Sequence, residues 1–90
     1  MTPPTEEEAT ALARAALGQE LGIAPAPFGD IELVRAEPVD WPDASLGCPE
    51  KGMAYAQVVI PGWRMTLRAA GREWRVHVGG HRAVVSRYRP

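Results

Sequence analysis

Between residues 5 and 21 apolar side chains fall at Ala9, Leu12, Ala13, Ala16, Leu17 and Leu21, the spacing of a helix with one buried stripe. Thr5 and Glu8 form a capping box before it, and Glu6 and Glu7 complement the positive end. Gly22 occupies the place of a left-handed cap, with Ile23 able to fold back on Leu17, and Pro25 forbids continuation. The pattern predicts a helix over 5–21, preceded by a loose arm at 1–4. Two prolines stiffen the connector 24–30, where Phe28 reads as a plug at the rim of the core.

The period then changes from 3.6 to 2. In 31–40, Ile31 and Leu33 oppose Glu32 and Val34, and Pro38 marks an edge, a bulge or the strand's end. Tyr55–Ile60 reads as a further strand. Pro61-Gly62 follows, either a wide turn or a bend within one long strand. Trp63, Met65 and Leu67 alternate with Arg64, Thr66 and Arg68. After a turn at Ala70-Gly71-Arg72, Trp74, Val76 and Val78 alternate with Glu73, Arg75 and His77. Gly79-Gly80 carries a two-residue hairpin signal, and a last strand runs over 82–88. That hairpin pairs Val76 with Ala83 and Trp74 with Val85 on one face, and His77 with Arg82 and Arg75 with Val84 on the other.

One stretch fits neither period. Pro42, Gly47, Pro49 and Gly52 break both helix and strand over 41–53, yet Trp41, Leu46, Met53 and the sole cysteine lie there. Irregular segments of about a dozen residues are uncommon in compact domains and often functional. The expected architecture is α+β: one domain over 1–90, its N-terminal helix packed on a four- to five-stranded antiparallel meander in two layers, with a long loop at 41–53. One sheet face should hold the core and the other face solvent.

Composition narrows the function classes. An apolar fraction of 46% suits a globular chain, and 90 residues suit one small core. No apolar run reaches the ~18 residues of a membrane span, and no signal-type core follows Met1, so a cytoplasmic protein with no membrane role is expected. One cysteine excludes an internal disulfide. Nine arginines against one lysine suggest a GC-rich genome, and the lack of asparagine is weakly consistent with a thermophile.

The net charge of −1 conceals segregation. Residues 1–45 carry nine acids against Arg14 and Arg35, a balance of −7, and residues 46–90 carry eight bases against Glu50 and Glu73, a balance of +6. An acidic half docking on a basic sheet is the preferred reading, because overall neutrality removes the long-range field of a nucleic-acid binder. Arg64, Arg68, Arg72, Arg75, Arg82, Arg87 and Arg89 crowd the last strands. Alternation assigns Trp63 and Trp74 to the buried face, however, leaving only Tyr88 to stack on bases.

Cys48 is the sharpest chemical candidate. A reactive thiolate needs a nearby cation, helix N-terminus or histidine, and the sequence places none of these beside it. Inert packing is preferred. Trp41-Pro42-Asp43 resembles the acid loop of protein tyrosine phosphatases, but six positions after Cys48 stands Ala54, not the arginine that chemistry needs. Cys48-Pro49 resembles a haem-responsive dipeptide, with almost no specificity. His77 and His81 fall on opposite faces, read best as exposed strand-end residues, and do not make a metal pair. Asp40, Asp43 and Glu50 lack an accompanying base and read as turn caps. No cofactor or metal is expected.

The run Val39-Asp40-Trp41-Pro42-Asp43-Ala44-Ser45-Leu46-Gly47-Cys48-Pro49, then Gly52-Met53-Ala54-Tyr55-Ala56-Gln57-Val58, then Pro61-Gly62-Trp63-Arg64, resembles a signature of small uncharacterised bacterial domains. Those domains often stand behind lipoprotein or secretion signals, which this sequence lacks. No function is assigned to them, so the resemblance implies no catalytic residue. It implies that Trp41, Gly47, Cys48, Pro49, Tyr55, Gln57 and Pro61-Gly62-Trp63 form a unit, with Gln57 available to satisfy loop backbone.

The expected function is a non-catalytic binding module that contacts a protein or small-molecule partner through Trp41, Asp43, Ser45, Cys48, Glu50 and Tyr55. Thiol chemistry at Cys48 and nucleic-acid binding through the arginine strands are the alternatives. Exposed sheet edges leave a homodimer open.

Overall fold

The computed structural model describes residues 2–22 and 31–86. The expectations for Ile23, the prolines of the connector, Phe28, Arg87, Tyr88 and Arg89 lie outside these residues.

Helix α1 spans Glu6–Leu21 and begins as the capping box predicts. Thr5 Oγ1 accepts from the Glu8 amide at 3.1 Å, and Glu8 Oε1 accepts from the Thr5 amide at 2.9 Å. The bond from the Thr5 amide, with the Thr5 hydroxyl beside it, favours an ionised Glu8, whose carboxyl is held below the usual range. Gly22 closes the helix at φ +71°, its N–H donating back to the carbonyls of Gln19 and Gly18. Ala9, Ala13 and Leu17 are fully buried.

Strands β1 (Glu32–Trp41), β2 (Ile60–Ala69), β3 (Arg72–Gly79) and β4 (Arg82–Ser86) form one antiparallel meander in chain order. The helix lies across β2, β3 and β4, burying Met65, Leu67, Ala69, Val76 and Val78 between the layers. Trp63 and Trp74 pack partly against this core, as alternation requires. Their indole N–H groups donate to the carbonyls of Pro4 and Ala69.

β1 is an edge strand, which tolerates Pro38. Its register against β2 shifts between Leu33 and Arg35. The extra residue, Val34, is 41% exposed, and the shift hands the next inward position to Ala36, opposite Met65.

Three expectations are corrected. Tyr55–Ile60 is not a strand. β1 ends at Trp41 because Pro42 cannot donate to a ladder, and the chain before Ile60 therefore has no strand beside it. Residues 42–59 form a single irregular loop. Pro61 and Gly62 then lie inside β2 and make no turn; a Cβ on Gly62 would sit 1.8 Å from the Val78 carbonyl oxygen, so the backbones approach there as only glycine allows.

The β3–β4 hairpin turns at Gly80-His81, one residue later than expected, so every pair shifts by two. Gly79 opposes Arg82, Val78 opposes Ala83 and Val76 opposes Val85. Faces survive a shift of two, so the core assignment holds. Gly80 at φ +60° takes the first position of the turn, as a type II′ turn requires. Gly79 stays in the strand, paired with Arg82, and its missing Cβ makes room for Leu46, whose Cδ2 would lie 2.6 Å from one.

The third correction concerns the outer sheet face, which is not left to solvent. The first part of the long loop folds down on it. The helix seats on the apolar face, as expected, with Glu6, Glu7 and Glu8 exposed. Of the acidic half it is β1 that meets a base of the later strands: Arg68 pairs with Glu32 at 3.5 Å, and with Glu73 of β3 at 3.2 Å, both contacts solvent-exposed.

Candidate functional site

The loop is built in two parts. Residues 41–48 are pinned to the outer face of β3 and β4. Asp43 Oδ1 accepts from the Ser45 amide at 2.9 Å and from Ser45 Oγ at 2.5 Å, the Asx geometry that starts a turn. These bonds favour the ionised carboxyl and hold it below its usual range. Leu46 follows at φ +54° and Gly47 at φ +74°, so the chain doubles back on itself. A Cβ on Gly47 would stand 2.9 Å from the Trp41 ring. Trp41, Ser45 and Leu46 are buried as a result.

Trp41 lies flat on the sheet. Its Nε1–H donates to the Val78 carbonyl at 2.9 Å, and its ring stacks on His77 with centroids 4.5 Å apart and planes 26° off parallel. The Arg64 guanidinium covers the same ring at 5.7 Å. Arg82 Nη1 donates to the Ala44 carbonyl at 3.0 Å, tying the loop to β4. Gly79, between Trp41, Leu46 and Ile60, leaves the notch that admits them.

His77 sits at the centre. It was expected to be exposed, but it is only 6% exposed. Its Nδ1 lies 2.6 Å from the Leu46 carbonyl oxygen and 3.3 Å from Cys48 Sγ. An oxygen with no proton of its own at 2.6 Å requires the proton to be on Nδ1. Nδ1–H therefore donates to Leu46, and Nε2 carries the bare lone pair; it is buried and has no hydrogen-bond partner. Burial lowers the pKa of His77, the Leu46 bond raises it, and Arg64 and Arg75 lower it further.

The second part, residues 49–59, is exposed throughout except for the half-buried Tyr55. Met53 N–H donates to the Glu50 carbonyl at 3.1 Å, with Gly52 at φ +83° in the position a type II turn reserves for glycine. The Tyr55 hydroxyl accepts from the Glu50 amide at 3.1 Å, and the Ala44 amide donates to the Ala56 carbonyl at 3.0 Å. Met53, Val58 and Val59 are 59%, 52% and 66% exposed. Gln57 is exposed as well; Asp43, Tyr55, His77 and Arg82 satisfy loop backbone instead.

The family described as Domain of unknown function (DUF8738) matches residues 10–86, from the second turn of α1 to the end of β4. The chain belongs to the DUF8738 family. No curated protein and no solved structure matches it. The stretch matched by DUF8738 contains the whole loop and the histidine beneath it.

Of the six residues singled out from sequence, this DUF8738 chain keeps Trp41 and Ser45 buried, Asp43, Cys48 and Tyr55 half-buried, and Glu50 exposed. Cys48 does meet a histidine, but at the nitrogen that already holds a proton for Leu46, so Nδ1 cannot receive the thiol proton. Burial pushes the Cys48 thiol above its ordinary value against a smaller opposing effect of Ser86. His81 lies on the helix side, lining a hollow with Pro4, Glu8 and Leu12. Among the described residues no cluster of three metal-capable side chains occurs, and no helix is long and apolar enough to cross a membrane.

Sequence reasoning missed His77, Gly79 and Arg82. Their partners Trp41, Ala44, Leu46 and Cys48 lie 29 to 38 residues away in the chain. The available signal was a tryptophan at 41 with no place in the helix-facing pattern, and a glycine two residues after a histidine on the opposite face.

Proposed function

We infer that this chain is a non-catalytic interaction module whose contact surface is the outer limb of the loop, residues 49–59. The observation that carries this reading is the exposure of Met53, Val58 and Val59 on a limb whose base is pinned by side-chain bonds. Large apolar side chains exposed close together on one loop are a usual sign of a surface completed by another molecule. Glu50, Lys51 and the edge of Tyr55 supply a polar rim. The partner that suits this limb is a protein segment offering apolar side chains.

The test is a pair of charged substitutions, Met53→Asp and Val59→Asp. Neither residue is buried, so the fold should unfold at the same denaturant concentration. Proteins retained by the immobilised wild-type chain should be lost from both variants. Retention of the same proteins by both variants would reject the limb as the contact surface.

Thiol chemistry at Cys48, 3.3 Å from His77, is the second reading, and it needs a proton acceptor other than the Nδ1 that holds its proton for Leu46. It requires iodoacetamide to label the native thiol at a rate implying a pKa well below the free-thiol value of about 8.5. Labelling only on denaturation would remove it.

A further inference from the structure

His77 is enclosed from every side by groups that suit its neutral form. Trp41 covers its face, the Leu46 carbonyl takes its one proton, and the Gly47 backbone and the Cys48 thiol close the loop side. A second proton would have to go on Nε2, which is buried and has no acceptor. The charged side chains acting on the ring are Arg64 of β2 and Arg75 of β3, both cations. On β4, Val84 lies opposite, Ser86 is uncharged, and Arg82, a further cation on the same face, is turned to the Ala44 carbonyl. The nearest loop carboxylate, Asp43, is turned into its bonds with Ser45. Stacking on Trp41 favours an imidazolium, but it supplies no acceptor for Nε2–H.

We propose that His77 is an acid-released clasp: protonation at Nε2 drives the ring from beneath the loop and frees residues 41–48 from the outer sheet face, leaving the helix–sheet core closed. Only the proton moves; no covalent bond is made or broken. The clasp stands whether or not the outer limb binds a partner. It makes the loop a hinged element whose closed state is a property of neutral solution.

The direction with pH is fixed. The native pKa lies below 6.5, while the ring freed from the loop takes a proton near 6.5. Closure is strongest well above that value. It weakens as pH falls below it, by up to about tenfold in the closing equilibrium for each pH unit, until the enclosed ring also titrates. Glu8 and Asp43 are held below 4.5 and 3.8 and keep their charge through this window.

The three indole N–H groups give the readout. That of Trp41 is bonded only while the loop is closed, whereas those of Trp63 and Trp74 bond to Pro4 and Ala69. Exchange of each indole proton with solvent is measured by NMR on the full chain at pH 7.5 and 5.5, corrected for the intrinsic rate. Trp41 should exchange up to about tenfold faster at pH 5.5, with Trp63 and Trp74 unchanged. His77→Asn offers an amide N–H to Leu46 and does not titrate, so its Trp41 rate should be flat. His81→Gln should respond as the wild type does. A flat Trp41 rate in the wild type, an equal rise in His77→Asn, or a rise shared by all three indoles overturns the clasp. If His77→Asn does not fold, the His77 ring resonance in the wild type decides, since a titration midpoint at or above 6.5 rejects it.

Discussion

The two faces of the sheet are closed by different physics. On the inner face a capped helix presses Ala9, Ala13 and Leu17 onto Met65, Leu67, Val76 and Val78, an apolar contact with the Trp63 and Trp74 indole bonds only at its margin. On the outer face the loop is held by single contacts: an indole to a carbonyl, an imidazole to a carbonyl, a guanidinium to a carbonyl. Apolar burial is additive and tolerant. Hydrogen bonds to buried carbonyls are modest in net value but costly to leave unmade. The inner face should therefore fail by degrees and take the whole domain with it. The outer face should fail at one residue and take only the loop.

The largest effect tests the inner face. Leu17→Ala removes a fully buried side chain from the middle of the helix–sheet contact and should cost about 3 kcal/mol. Urea unfolding followed by far-ultraviolet circular dichroism measures it. Helix and loop signals should fall together, because the sheet that supports the loop is lost. A cost below about 1 kcal/mol would mean that the helix contributes little to this fold.

Gly79→Ala tests the outer face. The new Cβ would sit 2.6 Å from Leu46 Cδ2 and 3.0 Å from Ile60 Cγ2. The Leu46 methyl is the end of a flexible side chain and can retreat, so the cost is about 1–2 kcal/mol of overpacking. Retreat lifts Leu46 from the notch and weakens the stack of Trp41 on His77. Iodoacetamide should then reach Cys48 faster, while the helix melts near the wild-type denaturant concentration. Unchanged Cys48 labelling together with a large global loss would erase the distinction between the faces.

The contrast explains what was legible in the chain. The inner face is periodic, so the helix, its Thr5–Glu8 and Gly22 caps, and the inward set Met65, Leu67, Val76 and Val78 could be read directly. The hairpin turn was misplaced because Gly79 and Gly80 both suit a turn locally. Only the tertiary contact with Leu46 shows that Gly79 serves the loop. The site followed the same rule. That 41–53 was unusual could be seen from its prolines and glycines, but its anchors His77 and Arg82 carry no local mark. Their positions depend on how a long loop folds across strands distant in sequence.

The smallest effect compares two residues with the same backbone. Leu46 and Ala70 both sit at φ +54°, a region costly for any residue with a Cβ. Leu46 is buried by the loop contact, and enclosure of its side chain offsets the backbone cost. Ala70 has no such compensation. It is exposed in the two-residue turn between β2 and β3, beside Gly71 at φ +73°, and a turn with positive φ at both positions favours glycine or asparagine. Ala70→Gly relieves the Cβ conflict, and the greater freedom glycine gives the unfolded chain returns part of that gain. The net result should be a rise of about 0.5 kcal/mol in unfolding free energy, seen as a small upward shift of the thermal midpoint. Neither face should change, so Cys48 labelling and Trp41 exchange should match the wild type. A fall in stability would show that the left-handed conformation at Ala70 is held at no cost, and that positive φ cannot be taken as strain at Leu46 either.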